Sequence, residues 1–355
     1  MGIVERIKKI RSFMENNQLD AFLVTKPENI RYLSAFSGGS DGRLLISADN
    51  QYILTDGRYI EQVNRECPNW ELVNESGGRL DSLAGICDKY SSLVVESNYL
   101  TYDLFQQLGE KLKSRLVPMA NTIEKFRSVK DPSELALLRN AAQIGDKVFT
   151  RICSEIRVGV SERYLANRIA YFLKEEGCSQ ESFPTIAVAG ENAALPHGQP
   201  GDRLLQRGDM LTLDFGGFYK GYAGDMTRTV VLGEASPKLR DVYQRVLEVQ
   251  QLGVSLVQAG FSSREIDREV REGLGKYELD VYFQHGTGHG VGLEIHEMPS
   301  LSARSDAALE ENMVVTVEPG VYIPGWGGIR IEDTVIVKKG ECEIITRSDK
   351  RLLII

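Results

Sequence analysis

Leu211-Thr212-Leu213-Asp214-Phe215-Gly216-Gly217-Phe218-Tyr219-Lys220-Gly221-Tyr222-Ala223-Gly224-Asp225-Met226-Thr227-Arg228 reads as two strands joined by a stretch of turn formers. Alternation puts Leu211, Leu213 and Phe215 on one face of the first strand, and Thr212 and Asp214 on the other. A hairpin turning at Tyr219-Lys220 sets Asp214 opposite Asp225. Like charges directly opposed destabilise a hairpin. Either the pair is exposed and harmless, or a cation sits between the two carboxylates.

A second carboxylate pair lies further along. Glu318 ends the apolar run Met313-Val314-Val315-Thr316-Val317 and precedes Pro319-Gly320. Glu332 sits in Ile329-Arg330-Ile331-Glu332-Asp333-Thr334, where Ile329 and Ile331 share one face and Arg330, Glu332 and Thr334 the other. A buried carboxylate there needs a partner. Arg330 can supply it as an ion pair with Glu332, or can face a substrate from the same side.

Between these pairs runs His285-Gly286-Thr287-Gly288-His289-Gly290-Val291-Gly292. Its alternate glycines let backbone pass close to something, but no nucleotide-binding loop pattern aligns on it. His296-Glu297-Met298-Pro299-Ser300 is not HExxH, and no GxSxG occurs. The four histidines, His197, His285, His289 and His296, are all confined to residues 197–296. Asp214, Asp225, His289, Glu318 and Glu332 form an oxygen-rich ligand set that suits Mn²⁺, with Co²⁺, Fe²⁺ or Zn²⁺ as alternatives. One ion seldom needs four carboxylates, whereas two bridged ions would neutralise them.

The remainder of the chain organises around this set. Val4–Asn17 has helical apolar spacing, and 21–25, 43–46, 52–55 and 93–96 read as short strands. A boundary falls near Ile123–Asp131. Residues 1–125 are expected to form an N-terminal α/β domain with a mixed sheet, and 132–355 a catalytic domain. Asp131-Pro132-Ser133-Glu134 has the pattern of a helix start with a capping box. Ser161, Ser236 and Ser262-Ser263-Arg264-Glu265 mark further helix starts. Strands are expected at 210–215, 226–232, 313–318 and 328–337. Helices and strands grouped in this way suggest α+β.

Composition narrows the class. The net charge of −8 repels phosphate backbones and argues against nucleic acid as a partner. Five cysteines without CxxC spacing argue against a disulfide framework and a structural zinc site. Early charges at Glu5 and Arg6 do not fit a signal peptide, and no apolar run approaches the ~18 residues of a membrane span. The expected location is the cytoplasm.

Taken together, Leu213-Asp214-Phe215-Gly216, Gly224-Asp225-Met226-Thr227-Arg228-Thr229, the run from Gly288 to Glu297, Val317-Glu318-Pro319-Gly320 and Ile329-Arg330-Ile331-Glu332-Asp333 resemble the Xaa-Pro peptidase family. Its members include aminopeptidase P and prolidase. Ala194-Leu195-Pro196-His197 also fits, and the resemblance covers nearly the whole chain. It implies a pita-bread catalytic domain behind a smaller creatinase/prolidase-type N-terminal domain. It also implies two divalent ions, a peptide substrate with proline second, and a homodimer.

Residue by residue, Asp214 is expected on one ion, His289 with Glu318 on the other, and Asp225 with Glu332 on both. The ions would activate a water, with Glu318 as proton shuttle. His285 and His296 are expected to stabilise the developing oxyanion. His197, Arg330 and Tyr322 are expected on the substrate side. Methionine aminopeptidases lack the N-terminal domain, and creatinase lacks the full ligand set. Short prolidases of the family tend to carry arginine where Ser300 stands. Ser300 therefore leans the expectation toward an aminopeptidase, with a dipeptidase as the alternative and Arg304 as a nearby substitute. A non-catalytic module of the same fold would typically have lost its ligands, and none is lost here.

Overall fold

A computed structural model of the chain describes residues 2–76 and 80–355. They divide into two compact units, with the break after Arg127. In the first unit, β1 (Ala21–Val24), β2 (Gly42–Ser47), β3 (Gln51–Thr55), β4 (Glu71–Asn74), β5 (Ser92–Glu96) and β6 (Arg115–Met119) form one sheet in the order β4-β3-β2-β1-β5-β6. It is mixed: β1-β2 and β2-β3 are antiparallel, and the remaining pairs are parallel. Helices α1 (Ile3–Asn16), α2 (Pro27–Ser34), α3 (Ile60–Glu66), α4 (Asp81–Cys87), α5 (Tyr102–Lys111) and α6 (Thr122–Ser128) connect and flank these strands. Leu23, Leu45, Leu54 and Val95 face one side and pack on Leu83, Cys87 and Leu108. The four strands legible in the sequence are the buried central ones. The edge strands β4 and β6 are only partly covered, so they lack the continuous apolar run that marks a buried strand.

Glu96 ends β5 under α2. Its Oε2 accepts the N–H groups of Thr25 (2.5 Å) and Lys26 (2.8 Å), and its Oε1 accepts Asn29 Nδ2 (2.6 Å). A carboxylate thereby satisfies donors at the start of a helix whose own N-cap, Lys26, has no side-chain acceptor to offer.

The second unit begins with α7 (Pro132–Cys153), where Asp131 and Glu134 form the expected capping box. Helix α8 (Glu162–Glu175) is capped by Ser161. Strands β7 (Ile186–Ala189), β8 (Met210–Phe215), β9 (Phe218–Tyr219), β10 (Tyr222–Ala223) and β11 (Met226–Val231) follow, then α9 (Pro237–Leu256), capped by Ser236, and α10 (Ser263–Gly275). The last strands are β12 (Gly288–Gly290), β13 (Glu297–Leu301), β14 (Val314–Val317), β15 (Gly320–Ile323), β16 (Gly327–Arg330), β17 (Asp333–Ile336), β18 (Glu343–Ile344) and β19 (Leu353–Ile354). They assemble as β19-β11-β8-β7, as β13-β12-β14-β17-β18, and as the pair β15-β16. Leu211, Leu213 and Phe215 pack with Val148, Leu165 and Leu173 under α7 and α8. Val315, Val317 and Val335 pack with Val254 and Ile266 from α9 and α10. Helix pairs over sheets in this pattern are the expected α+β pita-bread architecture.

Three local expectations fail. The hairpin turns one residue later than expected, because Lys220 (φ +49°) and Gly221 (φ +89°) take the left-handed conformations of a two-residue turn between Tyr219 and Tyr222. The residue opposite Asp214 is therefore Thr227, not Asp225. The stretch 328–337 is not one strand: β16 and β17 belong to different sheets, with Ile331 and Glu332 between them. Ser262 does precede a helix, but its side chain makes no capping hydrogen bond.

Candidate metal centre and substrate cleft

The register of β8 and β11 decides how the first two carboxylates meet. Asp225 lies two residues before Thr227, so it shares a face with Asp214 as a diagonal neighbour instead of a directly opposed one. Thr227 fills the opposed place and donates from Oγ1 to Glu332 Oε2 at 2.7 Å. The break between β16 and β17 lets Glu332 N–H bond to the Thr227 carbonyl at 3.2 Å. Glu332 thus reaches the hairpin from the link between two other sheets.

His289 and Glu318 arrive from the five-stranded sheet. Thr316 Oγ1 accepts His289 N–H (3.1 Å) and donates to Glu318 Oε1 (3.2 Å), tying β12 to the end of β14. Gly288 allows that approach, since a Cβ there would lie 1.9 Å from the Thr316 carbonyl oxygen. His289 Nδ1 is 3.1 Å from the Gly290 carbonyl, which makes it the protonated nitrogen. Its Nε2 then presents a bare lone pair to Glu318 Oε1 (3.3 Å) and Asp225 Oδ2 (3.5 Å). Acceptor facing acceptor is unfavourable unless a carboxyl proton or a metal cation lies between them.

Electrostatics point the same way. Burial, and next Glu332, push the Asp225 carboxyl well above its ordinary range. Burial and Glu318 do the same to Glu332. Burial pushes Glu318 up to about 8. Asp214 Oδ1 is buried with no hydrogen-bond partner among the described residues. Ligand atoms of Asp225, His289 and Glu332 lie within 4.8 Å of one another. These oxygens and one imidazole fit hard or borderline divalent ions, which would reverse the repulsion that raises the carboxyls.

Arg330 does not pair with Glu332. Its Nη2 donates to Asp214 Oδ2 (2.5 Å), its Nη1 to Tyr322 Oη (2.5 Å) and the Pro196 carbonyl (3.2 Å), and its Nε to Thr227 Oγ1 (3.1 Å). Tyr322 Oη in turn lies 2.9 Å from His285 Nε2. Burial, and next Arg330, lower His285 to about 4, so it is neutral near pH 7. His296 is exposed, with its ring edge-on to His289 at 4.3 Å between centroids.

All ten residues expected in the site belong to the second unit. Asp214, Asp225, His197, His285, His289, His296, Glu318, Arg330 and Glu332 line one cleft of about 490 Å³, and Tyr322 stands behind it under Arg330 and His285. Phe183, Pro184, Ile186, Pro200 and Ile295 give the cleft an apolar wall, and Ser300 and Ser302 line it as well. Ser300 pairs directly with His289 across β12-β13. Arg304 is not among the lining residues.

Sequence reading missed the supports. Asp267 on α10 accepts Thr287 N–H (3.0 Å) and Oγ1 (2.9 Å), and Arg271 donates to the carbonyls of Phe283 and His285. Together they clamp the loop that carries His285. No local signal distinguishes this pair from an ordinary helix ion pair four residues apart.

The chain matches two family profiles: metallopeptidase family M24 over residues 136–339 and the creatinase/prolidase N-terminal domain over 6–129. A solved structure of an Xaa-Pro dipeptidase from Bacillus anthracis is 41% identical, with a TM-score of 0.97 and 100% of both chains covered. The Xaa-Pro dipeptidase of Pyrococcus horikoshii is 34% identical over 98% of this chain and 99% of its own. An X-Pro aminopeptidase structure from Thermotoga maritima is 32% identical, with a TM-score of 0.91, covering 99% of this chain and 100% of that one.

Proposed function

We infer the reaction from the premise that this chain belongs to metallopeptidase family M24 and carries a creatinase/prolidase N-terminal domain ahead of its catalytic one. We propose that it is an Xaa-Pro dipeptidase, hydrolysing the bond between an N-terminal residue and proline. The observation that carries the chemistry is the bare Nε2 of His289 turned on Asp225 and Glu318, with Glu332 and Asp214 beside them. Two relatives described as Xaa-Pro dipeptidases favour a dipeptide substrate. The lean toward an aminopeptidase, drawn from Ser300, is therefore set second.

In this reading Asp214, Asp225, His289, Glu318 and Glu332 hold two divalent ions, with Mn²⁺ the best match to so many oxygens. Such ions supply Lewis acidity and lower the pKa of water toward neutrality. Glu318 is the most exposed of the three carboxylates on which ion-pair geometry bears, at 17% of its side chain against 12% for Asp214 and 5% for Asp225. That exposure supports reading it as the group that takes a proton from water and passes it to the departing proline nitrogen. Exposed His296 supplies a donor where the carbonyl oxygen gains charge, while neutral His285, whose Nδ1–H is spent on the Gly286 carbonyl at 2.8 Å, holds the Tyr322 hydroxyl at its Nε2. The apolar wall suits a proline ring, which has no N–H to satisfy once it is acylated.

One observation keeps the aminopeptidase as a second reading. Arg330 is the one lysine or arginine lining the cleft among the described residues, and Asp214 and Tyr322 already occupy its guanidinium. A dipeptide carboxylate would have to be met by His197, Ser300 and Ser302. Purified protein is stripped of metal, reloaded with Mn²⁺, and given an Xaa-Pro dipeptide and the same peptide one residue longer. Cleavage of the dipeptide alone supports the first reading, and faster cleavage of the longer peptide replaces it with the second. Full activity without metal defeats both.

A further inference from the structure

Glu297 follows His296 but does not line the cleft. Its Oε2 takes an ion pair from Lys130 Nζ at 3.1 Å, with side chains 5% and 1% exposed. Lys130 Nζ also donates to the Ser128 carbonyl at 3.2 Å. Burying such a pair is often no better for stability than an apolar pair of the same volume. Its geometry points to another use. Glu297 Oε1 accepts the Glu294 N–H at 3.1 Å, and the Glu294 carbonyl accepts the Gly292 N–H at 3.0 Å. A Cβ at Gly292 would lie 2.4–2.7 Å from the Glu297 carboxylate, so the turn is drawn tightly over that group. The Gly292 carbonyl accepts Ala223 N–H at 2.8 Å, which anchors the turn two residues before Asp225.

The turn over 292–297 decides where two rings meet. His289 stands three residues before it and His296 lies within it, and the pairing of β12 with β13 slips between His289 and Gly290. Regular strand pairing therefore does not define the path from one histidine to the other. The Glu297 carboxylate does, by joining the strand after the turn to the amide inside it.

We propose that Glu297, held in place by buried Lys130, is a positioning residue that closes this turn and so sets His296 against His289 for the reaction. The proposal rests on the peptidase reading of the cleft. It predicts that a hydrogen-bond acceptor at 297 matters for turnover, and that the charge matters only because Lys130 is charged.

Two double variants separate these effects, since each removes both charges of the Lys130–Glu297 pair. In K130M/E297Q the amide oxygen still accepts the Glu294 N–H, and kcat should stay within about 3-fold of wild type. In K130M/E297L it cannot, and kcat should fall about 10- to 100-fold, as for loss of an outer-shell partner, with KM and melting temperature little changed. The further substitution His296→Ala should then cost much less in the Leu background than in wild type. The ¹H–¹³C resonances of the His296 ring should move in the Leu variant and not in the Gln variant. Wild-type kcat in K130M/E297L, equal costs of His296→Ala in both backgrounds, or unmoved ring resonances would overturn the proposal. If the Leu variant does not fold, Glu297→Asp keeps the charge but shortens the arm, and should show the same loss of kcat and ring shift. If wild type cleaves no Xaa-Pro peptide, the peptidase reading fails, and the ring resonances alone decide the positioning role.

Discussion

Arg330 Nη2 lies 2.5 Å from Asp214 Oδ2, joining positions 116 residues apart inside a cleft whose other oxygen on that carboxylate is unpartnered among the described residues. The guanidinium serves Asp214, Tyr322, Thr227 and the Pro196 carbonyl at once. An ammonium is a point charge that cannot hold this planar fork. Arg330→Lys is expected to lower kcat/KM by roughly 10–100-fold, the scale of a lost outer-shell partner. Steady-state kinetics with an Xaa-Pro dipeptide checks it, and an unchanged kcat/KM would count against a role for the fork.

Metal removal should weaken the protein as well as silence it. Asp225, Glu318 and Glu332 crowd one another, and a cation relieves that crowding. Mn²⁺ at about 100 times its Kd should stabilise the native state by ~3 kcal/mol per site. Asp225→Asn should lose bound metal and lower kcat/KM by more than the roughly 100-fold typical of outer partners. Scanning calorimetry with and without chelator, and metal analysis of the variant, read both outcomes.

His285 gives a pH dependence with a definite sign. Burial and Arg330 lower it to about 4 in the fold, against its ordinary 6.5. Between these values the unfolded chain holds a proton that the native protein lacks, so stability rises with pH across that window. The contribution is complete above 6.5 and is lost as the pH falls toward 4. In chelator, His285→Gln should flatten the rise by up to about 3 kcal/mol, read from urea unfolding at pH 4.5 and pH 7. Equal slopes in both proteins would contradict the burial of a neutral imidazole.

In the first unit, Glu96→Ala should destabilise by about 3 kcal/mol, because it strips acceptors from buried donors at Thr25, Lys26 and Asn29. Hydrogen exchange at α2 should report the loss before any change in the cleft. Protection of α2 equal to wild type would show that other groups satisfy those donors.

All five cysteines are free, and burial pushes each thiol up to about 11. A raised thiol pKa leaves almost no thiolate at pH 8, and thiolate is the nucleophile. Iodoacetamide at pH 8 should add little mass to the native protein and five adducts after denaturation. Rapid native labelling would mean that the packing around the thiols opens readily.

Much of the fold was legible because it is written in local patterns. The alternation of Leu211, Leu213 and Phe215 against Thr212 and Asp214 names a strand and its buried face without reference to any partner. Asp131, Ser161 and Ser236 announce helices because a capping side chain bonds only two or three residues ahead. Ser262 shows the limit of that reasoning, since its sequence fits a cap and its side chain makes no capping bond. The edge strands β4 and β6 were silent, because a half-covered strand needs no continuous apolar run.

What the sequence by itself determined is the inventory: four carboxylates and a histidine, and the strands on or beside which the carboxylates lie. Tertiary structure alone decided who faces whom. A one-residue shift of the turn to Lys220-Gly221 put Thr227 opposite Asp214 and left Asp225 diagonal to it. Folding also gave Arg330 to Asp214 instead of Glu332, and brought Lys130 to Glu297 from 167 residues away. Periodicity and capping act within a few residues, whereas these pairings depend on how separate sheets register and pack. No pattern along the chain carries that information.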